Sequence, residues 1–467
     1  MPRFIFMKLL GRMCAGLLLL SAATSWSQVD NTPPDNTPGA PVPAVVGPQN
    51  TSDQMLTPPP VSGQSFPTSF ASGERSNYLR GGLAFTSAYT DNAVGSVDGH
   101  AVSDVSYSVA PFVALDETTP RLHIVSTYAP GFTFYQRESA LNEQDQNASI
   151  NLQYRLSPHV TLSARDGFQK SSNVFNQPDL AAAGAVSGGT QQGNFSVIAP
   201  IADHLSNAGN IGISSQFAAN SMIGLSGTFT NLHYPNQAEV PGLFDSSSQA
   251  GSVFYSLRAS KMHYLGVTYE YQRLLSYPTA GQNETQTHAI LFFYTLYATP
   301  RFSISFFGGP QYADIGPQFF GTTAPLPAFR SWSPAAGGSL NWQGKTTSFA
   351  FSYSHLVSSG GGLVGAVRGD NASLSVRQRL SRTLTGSLAG GYAQNDILAA
   401  TPLLGSNGHT VSGTAALQQQ FGQHVNLQLG YTRLHQDYST VAVLAATPDT
   451  NREFISISYQ FSRPLGR

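Results

Sequence analysis

A chain of 467 residues that holds one cysteine, four lysines and three tryptophans, with only 10% of its residues charged, excludes several classes of protein at once. The single thiol, Cys14, leaves no disulfide framework and no Cys-based metal site. The eleven histidines are scattered singly, with no pair at metal-ligand spacing and no HExxH, so no metal is expected. Neither GxSxG nor a Walker-type loop occurs. The glycine-rich GGGLVG at Gly360–Gly365 follows an alternating stretch and opens no helix, so it reads as an outer loop rather than a phosphate cradle. No catalytic residue and no cofactor are expected, and the chain reads as a non-enzyme. A net charge of -1 offers no field for an anionic polymer, which excludes nucleic acid as a partner. Charge this sparse is also too little for an ordinary soluble surface.

What is present falls into three parts. Arg3, Lys8 and Arg12 precede the short apolar run Ala15–Ala23 (AGLLLLSAA), and small residues follow. Residues 1–27 therefore read as a secretory signal peptide with cleavage near Ala23 or Ser27. Residues 28–77 carry ten prolines between Pro33 and Pro67, which block both helices and sheet ladders. This part reads as a disordered periplasmic tether, first of all a spacer, with a segment for a periplasmic partner or a plug as alternatives.

From residue 78 to residue 461 the chain alternates with period two in segments of about ten residues. In one, Ile150, Leu152, Tyr154 and Leu156 oppose Asn151, Gln153 and Arg155; in another, Leu265, Val267, Tyr269 and Tyr271 oppose Gly266, Thr268 and Glu270. Each segment thus has one apolar and one polar face. Eighteen such strands are expected, within a range of sixteen to twenty, near 79–90, 104–114, 121–135, 146–157, 159–168, 208–218, 221–231, 248–259, 261–272, 286–298, 300–311, 329–343, 345–356, 370–381, 383–393, 409–421, 424–436 and 450–461. Their connections alternate in length. Short turns such as LSPHV, RASKM and LSRTL take turns with long loops such as TDNAVGSVDGHAVS and NDILAATPLLGSNG, and a soluble sandwich has no reason to segregate loop length this way.

The last strand, FISISYQF, places Ile455, Ile457, Tyr459 and Phe461 on one face, and SRPLGR follows it as a C-terminal extension, residues 462–467. In this the chain resembles bacterial outer-membrane β-barrel proteins, whose final strand alternates and ends in an aromatic residue read by the barrel-assembly machinery; here Phe461 is not the terminal residue. The resemblance implies an all-β fold, a transmembrane antiparallel up-and-down barrel over residues 78–461, with short periplasmic turns and long extracellular loops. It implies location in the bacterial outer membrane among lipid and lipopolysaccharide. A barrel of this size suits a porin-like channel for passive diffusion of small hydrophilic solutes. The alternatives are an exit or scaffold component of a polysaccharide or protein export system, and a plugged surface receptor or adhesin.

Parity nominates the residues that face the lumen. Arg155, Arg258, Arg377 and Arg379 point inward near the short-turn rim, and Arg165 and Glu270 point inward nearer the loops, as candidates for solute selectivity. Tyr154, Tyr255, Phe421 and Phe461 precede the short turns, and Tyr89, Phe229, Tyr271, Tyr392 and Tyr431 lie toward the loops, as two interfacial girdles require. Phe293, Tyr297 and Phe307 carry aromatic rings on the parity that is polar elsewhere. They are expected to receive a packed loop or, as the alternative, to form an aromatic track for a solute. The connection from about Gln169 to Asn207 is the longest, long enough to fold inward and narrow the lumen.

Overall fold

The structure, a computed structural model, describes residues 55, 77–94, 99–171, 203–299, 301–319, 325–399 and 407–465. The expected signal peptide, almost all of the expected Pro-rich tether and most of the connection 169–207 lie outside these. Eighteen antiparallel strands form one sheet: β1 (Tyr78–Val94), β2 (Val102–Thr118), β3 (Leu122–Tyr135), β4 (Glu143–Arg155), β5 (Val160–Ser171), β6 (His204–Ala218), β7 (Ser221–His233), β8 (Asp245–Arg258), β9 (His263–Tyr277), β10 (Asn283–Thr299), β11 (Phe302–Ile315), β12 (Phe329–Gln343), β13 (Thr347–Ser359), β14 (Ala366–Arg379), β15 (Leu384–Ile397), β16 (Asn407–Phe421), β17 (Val425–Tyr438) and β18 (Asp449–Pro464). Each strand pairs with its sequence neighbours, and β1 pairs with β18, so the sheet closes into an up-and-down barrel.

The closing pair explains the regularity of the last strand. Ile455, Ile457, Tyr459 and Phe461 lie opposite Ser87, Phe85, Leu83 and Gly81 of β1, and all four side chains are exposed on the outer face. Strand β18 runs beyond Phe461: Ser462, Arg463 and Pro464 pair with Arg80, Leu79 and Tyr78, so the first residues of the extension belong to the wall.

On the loop side the strands run further than alternation indicates: β1 continues to Val94 and β9 to Tyr277. Beyond the hydrocarbon both faces meet water, so the apolar period fades while the hydrogen-bonded ladder continues.

Three of the short turns are braced by a serine hydroxyl. In the β4–β5 turn the Ser157 hydroxyl accepts from the amides of His159 and Val160. Ser260 does the same for Met262 and His263, and Ser381 for Thr383 and Leu384. These side chains add to the backbone turn hydrogen bonds between Ser157 and Val160, Ser260 and His263, and Ser381 and Leu384, and so fix the tight reversal.

The two faces of the wall differ in chemistry. Leu83, Phe85, Ile213, Leu225, Leu265, Phe292, Phe306, Leu388 and Ile457 stand exposed on the outside, where a bilayer would cover them. Tyr255, Phe421 and Phe461 are exposed toward the short turns, and Tyr89, Phe229, Tyr392 and Tyr431 toward the loops. Tyr154 and Tyr271 are only half-buried, and Tyr271 packs beside His288 at 5.2 Å.

Inside, large rings lie flat on glycines directly across the ladder: Phe112 on Gly82, Phe254 on Gly224, Phe293 on Gly266, Phe307 on Gly337 and Phe454 on Gly430. A Cβ added at Gly430 would run into the Phe454 ring. Gly430→Val should therefore lower the midpoint of urea unfolding by an overpacking cost of about 1–3 kcal/mol, read from the heat-modifiable band on gels. Adding Phe454→Ala should recover part of that loss, whereas additive losses would mean that the ring and the glycine do not share one space.

Candidate functional site: the lumen and its outer cap

Because β-strand side chains alternate, everything on the inner face of the ladder borders one lumen. Hydroxyls dominate it, and they pair with each other straight across the strands. Ser108 meets Thr133 at 3.0 Å, Thr127 meets Ser149 at 2.6 Å, Ser226 meets Ser252 at 2.7 Å, Ser352 meets Ser373 at 2.7 Å and Thr414 meets Thr432 at 3.1 Å. The register sets each pair directly opposite. The result is a wall whose paired polar groups are uncharged between the positions of the inward ionisable residues.

Two of the six ionisable candidates lie opposite buried inner-face residues in the ladder. Glu270 pairs with Ala289, which is buried on the inner face, and Arg258 pairs with Tyr264, also inward. The six do not form one cluster. Arg155, Arg165, Arg258 and Glu270 occupy β4, β5, β8 and β9, whereas Arg377 and Arg379 stand together on β14, across the barrel. Arg258 is spent locally: its Nη2 donates to the Ala219 carbonyl at 2.7 Å and its Nε to Asn220 Oδ1 at 3.1 Å, clamping the β6–β7 turn. Buried Glu270 Oε2 has no hydrogen-bond partner among the described residues. Two further inward arginines passed unnoticed in the sequence, although parity would have found them. Arg80 lies near Asp116, and Arg452 sits over the Phe454 ring at 5.5 Å.

The three aromatic residues divide between two places. Phe293 and Phe307 face each other across the β10–β11 ladder and pack with Leu291, Ala335 and Leu356 of the wall. Tyr297 stands apart, nearer the short turns, edge-on to Tyr264 with ring centres 5.5 Å apart.

Several acids at the loop ends of the strands anchor the loops. Asp104 accepts from the amides of Arg137 and Glu138, Asp91 from the Asn451 amide, and Asp245 from the Tyr234 amide and the Gln237 side chain. Glu284 forms a two-pronged pair with Arg273 at 2.8 and 2.9 Å.

Over the outer mouth the loops interlock. Leu232, Tyr234, Val240 and Leu243 from around the β7–β8 connection meet Leu363 and Val367 at β13–β14 and Tyr438, Val441 and Leu444 at β17–β18 in one buried apolar cluster. These connections rise from separate arcs of the ring, so the cluster spans the mouth. The Phe244 amide donates to the Gly362 carbonyl at 2.7 Å, joining two of the loops by backbone. Gly362 holds φ at 104°, and a Cβ there would press on the Tyr234 ring. Burial, and secondly the Asp245 carboxylate, push the Tyr234 hydroxyl upward, so it stays protonated. The cap lay outside the sequence expectations; its trace is the apolar residues placed in glycine- and proline-bearing loops, Val240, Leu243, Leu363 and Val441. Among the described residues no group of His, Cys, Asp or Glu could hold a metal ion.

No family model matches this chain, and no curated protein matches it. Solved structures match it at low similarity. OccAB4 of Acinetobacter baumannii is 11% identical, with 83% of this chain and 99% of that one covered and a TM-score of 0.37. OpdQ of Pseudomonas aeruginosa is 10% identical, covering 82% and 98%, with a TM-score of 0.38. The siderophore receptor PirA of Acinetobacter baumannii is 7% identical, covering 83% and 81%, with a TM-score of 0.40.

If the cap is an apolar unit separable from the wall, Leu363→Asp with Val441→Asp should open it, because an unpaired buried charge costs several kcal/mol. Limited proteolysis read by mass should show cleavage within residues 360–365 and 439–448 rising at least tenfold, with the heat-modifiable barrel unchanged. A barrel melting in step with the cap would contradict the separation.

Proposed function

We propose that this protein is an outer-membrane, porin-like channel for passive diffusion of small hydrophilic solutes. The observation that carries the reading is the inner wall: cross-strand hydroxyl pairs around an 18-stranded ring whose outer face is apolar. Such a wall satisfies its own polar groups across the ladder and leaves the inward ionisable side chains to meet a solute, and a ring of this size is wide enough for water. The apolar outer belt supports a bilayer setting, and the short and long rims support periplasmic turns and extracellular loops. The reading involves movement of solute and no covalent step.

Selectivity would rest on the inward arginines that are not committed to turns. Arg377 and Arg379 on β14 and Arg155 on β4 border the lumen near the short rim, whereas Arg258 serves the turn it clamps. The outer cap favours a second reading, a receptor whose barrel opens only when a ligand displaces the loops.

Single-channel conductance of the refolded protein in planar bilayers, with the reversal potential in a salt gradient, tests both. A channel should give steady conductance with anion preference, and Arg377→Ala with Arg379→Ala should reduce that preference at least twofold. Arg258→Ala should leave it unchanged and lower the stability of the barrel instead. A folded barrel that passes no current would favour the receptor reading, the more so if opening the cap restores conduction.

A further inference from the structure

One residue of the N-terminal stretch, Met55, lies inside the barrel. Its side chain is 3% exposed and belongs to a cluster with Met222 of β7 and Tyr264 of β9, against which Phe254 of β8 and Tyr297 of β10 pack. All four wall residues have inward parity. The Met55 amide donates to Gln216 Oε1 of β6 at 2.9 Å. That oxygen is held in place from behind, because Gln216 Nε2 donates to the Ala219 carbonyl of the β6–β7 turn at 3.2 Å. Met222 lies directly across the ladder from Gln216, so the apolar floor and the amide acceptor form one shelf. A flexible, polarisable side chain on a bed of aromatic rings and a second methionine makes a favourable sulfur–aromatic contact.

We propose that the β6–β10 inner wall near the short turns is a peptide-docking site, and that its occupant is this chain's own N-terminal segment, seated by Met55. The recognition chemistry is a thioether in an aromatic pocket beside a backbone amide held by a fixed side-chain carbonyl. Connectivity gives the docking a geometric meaning. Strand β1 begins at the short rim, and β10 stands diametrically across from it in the ring. A ring of this strand number is about 35 Å across. The chain from Met55 to Asn77 could reach about 75 Å if extended, so it spans that distance easily. Docking at Met55 thus ties the N-terminal segment to the wall opposite its own point of entry, and this holds whether or not the lumen conducts.

The wild-type protein provides its own probe, because methionine oxidation by peroxide follows exposure. Met262, in the β8–β9 turn, is 42% exposed and serves as the internal reference. In the folded full-length barrel, peptide mass spectrometry should find Met55 oxidised at least tenfold more slowly than Met262, with the two rates equal in urea. Gln216→Ala should raise the Met55 rate severalfold without changing that of Met262. Equal rates in the folded protein would overturn the docking. As an independent check in a Cys14→Ser chain, Met55→Cys with Met222→Cys should form a disulfide under mild oxidation in most molecules. Met55→Cys with Thr432→Cys, on a distant arc, should not; equal yields, or none in either, would also overturn it.

Discussion

In hydrocarbon a backbone amide or carbonyl without a partner costs several kcal/mol, and this requirement governs the whole molecule. It makes an open sheet edge untenable, so β1 must find β18 although nearly the entire described chain lies between them in sequence. Once the ring is closed, the alternation of side chains sorts every residue between lipid and lumen. The outer face then has to be apolar and the inner face is free to be polar, and the contrast between the two follows from closure rather than from any single residue.

Closure also fixes register, and register does the fine work on the inner face. A hydroxyl next to a hydroxyl, or a ring above a glycine, arises only if neighbouring strands are neither one residue ahead nor one behind. Phe293 on Gly266 and Phe454 on Gly430 keep bulky rings against the wall, so they fill the hollow left by the missing side chain instead of projecting into the lumen. The hydroxyl pairs satisfy one another straight across the ladder. The outer cap follows a different logic. It is a small apolar core carried by loops, with Asp245 accepting from the Tyr234 amide beside it.

The sequence made the wall legible and the interior fittings mostly not. All eighteen strands stand where period-two alternation places them, because a bilayer imposes that period directly on composition. Strand ends such as Val94 and Tyr277 escaped because the period disappears in water while the ladder persists. Parity placed Arg155, Arg165, Arg258, Arg377 and Arg379 on the inner face, and it could equally have placed Arg80 and Arg452. It could not tell that Arg258 grips a turn, since Asn220 lies on another strand connection. Nor could it bring Val240, Leu363 and Val441 together, because loops from separate arcs meet only in the folded ring. Met55 was invisible for a similar reason: a lone methionine among prolines carries no pattern of its own.

The paired hydroxyls of the inner wall have one more consequence. Serine and threonine do not titrate in water's accessible range, and a pair of them carries no net charge for counterions to screen. The pairing of these hydroxyls, unlike an ion pair of lysine and carboxylate, is therefore indifferent to acidity and to salt. A cell surface that passes from fresh to brackish or from neutral to acidic surroundings would change the behaviour of the loops and of the inward arginines' counterions, while the lining between them stayed the same solvent throughout.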